Sequence, residues 1–328
     1  MPVDLSGIVV NYNTCFLFDE FFASLNGVGR PLGLEVLFID NASTDTSSAY
    51  LKAMSGGVAI TFNDKNAVFG RANNQAAPLV QGRYALLLNT NAFVSPNTLA
   101  KTTAWMDAHP DCGVLGVRLT DRSGALQPSY RYFQTPFNIF LGRTGLQRLF
   151  PWVVLVDDMA WDHASVRECD WVPGCYYLIR REVLDQVGLF APRFFMYYEE
   201  VDHRRRVKAA GWKVMYYPDT SVVRIGVESA KSVSAVTESG RQISSLMIEG
   251  EVLYFRTHYG LRGLVWHVFL VNLGDLLLLA KDVFKQRGLS VMRSNWQHAI
   301  LTLRLLFQTR LATRSTVILL CLTISAVI

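Results

Sequence analysis

Cysteine and charge are both scarce in this sequence. The five cysteines, Cys15, Cys112, Cys169, Cys175 and Cys321, lie 97, 57, 6 and 146 residues apart. None forms a Cys-x-x-Cys pair, which argues against a zinc ribbon. So sparse and odd a set in 328 residues fits a reducing compartment better than a disulfide framework. Only 18% of the residues are charged and 50% are hydrophobic, the reverse of what keeps a long chain disordered. Glycine (23) and proline (11) stay near ordinary usage, so a collagen-like or linker-dominated chain is not expected. No internal repeat or low-complexity segment is found. The start, Met1-Pro2-Val3-Asp4-Leu5, lacks a basic n-region, an apolar h-region and a cleavage site, so no signal peptide is expected.

What charge there is lies unevenly. Residues 251–328 hold nine Lys/Arg against Glu251, Asp275 and Asp282, while residues 1–250 hold 23 basic and 24 acidic side chains. The C-terminal part is also the most apolar: from Leu264 to Ala280 only His267, Asn272 and Asp275 interrupt it. A segment both basic and apolar points to an anionic membrane surface rather than to nucleic acid. A core helix with a solvated basic face is the plainer alternative. Gly263–Lys281 is close to spanning length but contains Asp275, and Val317–Ile328 is too short to span alone. Amphipathic helices lying in the interface are favoured over a hairpin through the bilayer.

The first hundred residues alternate short apolar runs with helical spacing. Strands are expected at Ser6–Val10, Glu35–Ile39, Val58–Phe62 and Tyr84–Leu88. Helices are expected at Phe16–Leu25, Ser47–Met54 and Gly70–Leu79. This is the pattern of βαβ units around a parallel sheet. Each strand ends in a polar cluster: Asn11-Tyr12-Asn13, Asp40-Asn41, Asn63-Asp64 and Asn89-Thr90-Asn91. Ligands of open α/β sheets bind beyond the carboxyl ends of the strands, so the four clusters describe one polar rim. Further on, a helix at Pro96–His109 and a strand at Gly113–Leu119 are expected, then an irregular aromatic stretch at 130–165. Helices at Arg181–Val187 and Glu199–Ala210 and a strand at Val214–Tyr217 follow.

Six motifs, in order, carry a resemblance. They are Val9-Val10-Asn11-Tyr12-Asn13; Ile39-Asp40-Asn41-Ala42-Ser43-Thr44-Asp45; Asn66-Ala67-Val68-Phe69-Gly70-Arg71-Ala72-Asn73-Asn74; Leu87-Leu88-Asn89-Thr90-Asn91-Ala92; Trp171-Val172-Pro173-Gly174; and Phe195-Met196-Tyr197-Tyr198-Glu199-Glu200-Val201-Asp202. Over about residues 5–230 the chain resembles the family-2 glycosyltransferases of GT-A fold, in particular their bacterial rhamnosyltransferase-like branch. The resemblance implies an α/β fold, Rossmann-like with a mostly parallel central sheet, and a helical, membrane-associating C-terminal extension. The expected division is a GT-A domain over 1–250, with a nucleotide-sugar half to about 95 and an acceptor half beyond, and a basic helical tail over 251–328.

The implied activity is inverting transfer from a nucleoside-diphosphate sugar, dTDP- or UDP-linked and with L-rhamnose as one candidate. The acceptor would be lipid-linked or a polysaccharide, in cell-envelope glycan synthesis at the cytoplasmic face of the membrane. The competing reading is a catalytically impaired partner that binds sugar nucleotide or glycan. Asp40 is implied to accept the N3–H of a uracil or thymine ring, with Asn11, Tyr12 and Asn13 flanking it. Its alternative duty is to cap the helix at Ser47–Met54, which Asp45 suits better. Asn66, Arg71 and Asn74 fall in the family's Asn-x-Gly-Phe segment; Arg71 can meet a phosphate or be a solvated helix residue. Asn89 and Asn91 join the donor side, and Trp171 and Gly174 the acceptor side.

In the acidic motif the resemblance gives the base role to Glu200, where the family usually has Asp, with Glu199 and Asp202 beside it. A carboxylate within reach can take the acceptor proton. The alternative is that all three are acids favoured by a helix N-terminus. Two departures stand out. Asn91 takes the usual metal-ligand position of an Asp, and Arg224 stands where a His is usual. An amide is a poor ligand for a hard divalent cation, and a guanidinium cannot be one. Three readings follow: Arg224 replaces Mg²⁺ or Mn²⁺ at the diphosphate; metal binds through diphosphate, water and a remaining carboxylate; or the site is inactive. The first is favoured, and the retained acidic motif argues against the last.

Overall fold

The computed structural model describes residues 3–26, 32–54, 58–157, 161–225, 240–286 and 289–316. Their contacts divide into two compact units. One comprises the described parts of 1–131, 159–191 and 200–238; the other those of 132–158, 192–199 and 239–328.

The first unit is built on one sheet. Its opening strands are β1 (Leu5–Asn11), β2 (Leu34–Asp40), β3 (Val58–Phe62) and β4 (Tyr84–Leu88). They lie side by side in the order β3-β2-β1-β4, all parallel. The connecting helices are α1 (Phe18–Asn26), α2 (Ser47–Ala53) and α3 (Val68–Ala76). Within β1 and β4 almost every side chain is buried, as expected of parallel strands covered on both faces. Phe18, Phe21, Phe38 and Leu51 pack with β1, β4 and later strands in one hydrophobic core.

The sheet continues through β9 (Tyr176–Arg180), β6 (Cys112–Thr120), β10 (Lys213–Arg224) and β5 (Ala92–Val94). Here directions mix. β9 is antiparallel to both β4 and β6, β10 is parallel to β6, and β5 is antiparallel to β10. Short strands β7 (Leu126–Gln127) and β8 (Arg167–Glu168) pair antiparallel with β6 and β10. The expected parallel sheet thus holds for the first four strands, and the second half is mixed. α4 (Thr98–Ala108), α6 (Arg181–Val187) and α7 (Glu199–Ala209) complete this part of the chain. β10 reaches seven residues beyond the strand expected at Val214–Tyr217, through an irregularity between Tyr217 and Ser221.

The stretch 130–165, expected to be irregular, holds a helix, α5 (Pro136–Thr144). Thr135 caps it: its hydroxyl accepts from Asn138 N at 3.1 Å, and Asn138 Oδ1 accepts from Thr135 N at 2.8 Å. That reciprocal pair, with proline at the first helical position, is a legible start signal; the aromatic crowding around it obscures the helical period.

α5 belongs to the second unit, with α8 (Gly240–Phe284) and α9 (Leu289–Gln308). α8 breaks at Gly260, whose φ of +67° lies in the region glycine enters freely. Polar pairs lie inside this helical unit. Glu251 holds His267 Nε2 at 3.1 Å, and Asp275 is 3% exposed between Arg143 and His298. The Asp275 that interrupts the apolar run is thus turned inward and paired. The outward side is apolar: Leu261, Val265, Trp266, Phe269, Leu276, Leu277 and Phe284 on α8, and Trp296, Ile300, Leu303 and Phe307 on α9, are all exposed. Apart from the adjacent pairs Val265–Trp266 and Leu276–Leu277, their spacings are three, four and seven residues, as on one helix face. By length and composition the stretch Ser245–Phe284 could cross a membrane. The apolar residues Val317–Ile328 lie outside the described residues.

Candidate active site

The polar rim forms at the carboxyl ends of the parallel strands, where backbone direction puts four loops together. Asn11 and Asp40 are register partners at the ends of β1 and β2. Asn11 Nδ2 donates to Asp40 Oδ1 at 2.7 Å and to Ser43 Oγ at 2.9 Å. Ser48 Oγ donates to Asp40 Oδ2 at 2.7 Å. Asp40 is therefore a fixed acceptor, 1% exposed, and each of its oxygens keeps a second lone pair. Asp45 takes the capping duty instead: its Oδ1 accepts from Ser47 N at 3.0 Å. Asn13, with φ +55°, turns its amide oxygen to the backbone N–H groups of Thr44 and Asp45. Tyr12 between them is half-buried.

The neighbouring loops are stitched by amides. Asn41 donates to Asn66 Oδ1 at 2.8 Å and accepts from Asn63 and from Ala67 N. Asn66 is thereby committed to the loop that leads into α3. Asn74 is committed further off: it donates to Phe190 O at 2.8 Å and accepts from Phe190 N at 3.0 Å. Arg71 on α3 is half-buried and has no ion-pair partner among the described residues. Val68, at the glycine of the Asn-x-Gly-Phe pattern, has φ +59°, a costly conformation for a β-branched residue.

The two departures, 133 positions apart in the chain, meet at one place. β5 and β10 pair with Ala92 opposite Arg224. Beside them Asn91 Nδ2 donates to Ile225 O at 2.8 Å, and Ile225 N donates to Asn91 O at 2.9 Å. Asn91 is 7% exposed, and its Oδ1 is buried without a hydrogen-bond partner among the described residues. Arg224 Nε is likewise buried without an acceptor among the described residues. Glu228, a conceivable partner for Arg224, lies outside the described residues. Asn89, at the end of β4, donates its N–H to Cys175 O at 3.1 Å. This ties the strand-end cluster to the Trp171–Gly174 loop.

Trp171 is 6% exposed and lies under the Arg131 guanidinium, 4.6 Å from its ring centroid. Gly174 has a sharper role. A Cβ built on it would meet Glu200 Oε1 at 1.7 Å, so glycine here is the space in which the Glu200 carboxylate sits. The Cys175 thiol registers the same surroundings. Burial pushes its pKa up, Arg224 opposes that, and the Glu200 charge adds to it.

The three acids of the motif differ in exposure. Glu199 is 4% and Asp202 1% exposed. Asp202 is held by Arg206 Nε at 2.8 Å. Glu200 alone is half-buried, its side chain 26% exposed. All three sit in the first turn of α7, as helix-terminal acids do. Just before them Tyr197 and Tyr198 adopt φ +67° and +64°. Two left-handed non-glycine residues in a row are backbone strain of the kind that gathers at functional sites.

Behind Glu200 lies a group that the sequence did not announce. Arg204 is fully buried, with its guanidinium 3.8 Å from the Tyr177 ring centroid. Tyr177 OH donates to His203 Nδ1 at 2.7 Å, and His203 Nε2 donates to Gly188 O at 2.8 Å. Burial first, then Arg206 and Arg204, lower the His203 pKa to about 3, which keeps the ring neutral for these two bonds. In the sequence Arg204 is one of three consecutive arginines on a polar helix, and only the helix's orientation singles it out.

A buried carboxylate at the strand ends, an arginine on the strand beside the sheet's far edge and a half-buried carboxylate over a glycine thus stand in one α/β unit. The chain belongs to glycosyl transferase family 2, whose sequence profile matches residues 6–204; it is a glycosyltransferase. It is 28% identical over 233 residues to the N-acetylglucosaminyl-diphospho-decaprenol L-rhamnosyltransferase of Mycobacterium tuberculosis, covering 66% of this chain and 74% of that one. Among solved structures it resembles the mannosyltransferase PcManGT from Pyrobaculum calidifontis, solved with GDP-Man and Mn²⁺. The TM-score is 0.54 at 16% identity, over 95% of this chain and 86% of that one. TarS 1-349 of S. aureus matches with a TM-score of 0.51 at 14% identity, over 92% and 90% of the two chains. These likenesses show the GT-A fold.

Proposed function

We propose that this protein transfers a sugar, with inversion, from a nucleoside-diphosphate sugar to a lipid-linked acceptor carrying N-acetylglucosamine. dTDP-L-rhamnose is the leading donor. The observation that carries the mechanism is the exposure of Glu200 alone among the three acids, seated over Gly174. Its carboxylate takes the acceptor hydroxyl proton as that oxygen attacks the anomeric carbon, and the nucleoside diphosphate leaves with the bonding pair. One displacement inverts the anomeric centre. Asp40 supplies the acceptor for the base N3–H, with Asn11, Tyr12 and Asn13 around it. Arg71 and Arg224 are the cations available to the phosphates. The mycobacterial relative supports the donor and acceptor classes.

The residues present suit a divalent metal poorly. Asn91 offers one amide oxygen and Arg224, on the strand paired beside it, brings a fixed positive charge rather than a ligand, while no three His, Cys, Asp or Glu side chains cluster to hold an ion among the described residues. Arg224 instead stabilises the leaving diphosphate without a metal. Transfer from a panel of nucleotide sugars to N-acetylglucosaminyl-diphospho-polyprenol tests the whole. Transfer from dTDP-L-rhamnose giving the inverted anomer is expected. A retained anomer sinks the single-displacement mechanism, and donor binding without transfer to any acceptor favours a non-catalytic binding partner.

A location at the cytoplasmic membrane surface is part of the same reading. The exposed apolar faces of α8 and α9 lie among Arg262, Lys281, Lys285, Arg304 and Arg310, the composition of interfacial helices. Trp266→Glu with Phe269→Glu should lower binding to vesicles of anionic lipid by about tenfold or more, and high salt should weaken binding of the unmodified protein. Binding that resists both salt and alkaline extraction would instead show a spanning segment.

A further inference from the structure

We infer that Arg204 is a positioning residue for Glu200: a buried cation that clamps the carboxylate against Gly174. The inference rests on the reading of Glu200 as the base. Arg204 is fully buried, and none of Nε, Nη1 and Nη2 has a hydrogen-bond acceptor among the described residues. A buried charge without compensation is strongly unfavourable, so whatever balances it matters to the fold. Two groups do: the face of Tyr177 at 3.8 Å and Glu200 Oε2 at 4.0 Å from Nη1. A guanidinium over an aromatic face is held by the ring quadrupole. The ring itself is locked from behind by neutral His203, which in turn is tied to Gly188 O.

The consequence for Glu200 follows from its two oxygens. Oε1 fills the space that glycine leaves at position 174, and Oε2 faces Arg204. Glutamate has one more rotatable bond than the usual aspartate, and a half-exposed glutamate otherwise samples several rotamers. The i,i+4 geometry of α7 lets Arg204 select the rotamer over Gly174. A parallel i,i+4 pair on the same helix, Asp202–Arg206 at 2.8 Å, is hydrogen-bonded and surrounded by backbone carbonyls. The Glu200–Arg204 pair is left at 4.0 Å without such bonds, so the carboxylate keeps its lone pairs for an incoming proton. Arg204 acts through Glu200 and does not touch the reacting atoms.

The test is a double-mutant cycle in the full chain, with two readouts. In the transfer assay from dTDP-L-rhamnose, Arg204→Met should lower kcat by about tenfold to a hundredfold, with the donor KM within about twofold, because only the base is misplaced. Arg204→Lys, which keeps the cation, should recover most of the loss. In a Glu200→Gln background Arg204→Met should cost nothing further. By thermal denaturation, Arg204→Met should raise Tm by at least ~3 °C more in the Glu200→Gln background than alone, because the unpaired charge is then removed. Equal Tm effects in the two backgrounds overturn the pairing, whatever the activities. Unchanged kcat in Arg204→Met, or no recovery in Arg204→Lys, overturns the positioning role. If Glu200→Gln turns over normally while the Tm coupling persists, it is the base assignment that has failed and not the contact.

Discussion

Glu200→Gln should bind the nucleotide sugar as well as the unmodified enzyme and lose roughly 10²–10⁴-fold in turnover, the usual extent of general-base removal. The amide is the same shape and still fits over Gly174, but it cannot take the acceptor proton. Donor affinity by calorimetry and turnover by the transfer assay separate the two effects. Near-normal turnover would remove Glu200 from the mechanism and leave Glu199 or Asp202 to be tried, although both are buried and Asp202 is already paired with Arg206. Gly174→Ala should act through the same carboxylate. A methyl group 1.7 Å from Oε1 must displace the end of a flexible side chain. The protein should therefore fold, and turnover should fall by roughly tenfold or more with donor affinity kept. Loss of donor binding in this variant would show that Gly174 serves the donor side instead.

Arg224→Ala should cost roughly 10²–10³-fold in turnover, the scale of one preorganised donor to developing negative charge. Turnover of the unmodified enzyme should survive EDTA. The two departures meet on the β5–β10 pair: Asn91 brings no charge, and Arg224 brings a positive one to the neighbouring strand. Asn91→Asp alone should lower activity, since it adds a negative charge near the diphosphate and can neutralise Arg224. Asn91→Asp combined with Arg224→His restores both usual ligand types and should make turnover depend on added Mn²⁺. Full inhibition of the unmodified enzyme by EDTA, together with a mild Arg224→Ala, would show that a metal does this work and that Arg224 does not.

Much of the first half was legible because its signals are local. Strands Val58–Phe62 and Tyr84–Leu88 fall where the apolar runs place them, and the polar clusters after β1, β2, β3 and β4 do form one rim. In a parallel sheet the carboxyl ends all point one way, so alternation alone puts those clusters together. The helix α5 was missed for an opposite reason. Its cap, Thr135 with Asn138, is a local signal, but the helix is aromatic on several sides. The direction of β9 was also out of reach, since an apolar run reads the same in a parallel or an antiparallel ladder.

Motif order and residue type determined the family, the identity of the acids and the unusual pairing of Asn91 with Arg224. These are properties of the chain read from end to end. Only the tertiary structure decided which of three acids faces outward, which of three arginines lies buried behind it, and why position 174 is glycine. Those choices depend on the rotation of α7 about its axis and on what packs against each face. Neither is written in the spacing of Glu199-Glu200-Val201-Asp202-His203-Arg204-Arg205-Arg206, because that run holds a single apolar residue, Val201, and no apolar stripe to fix its orientation.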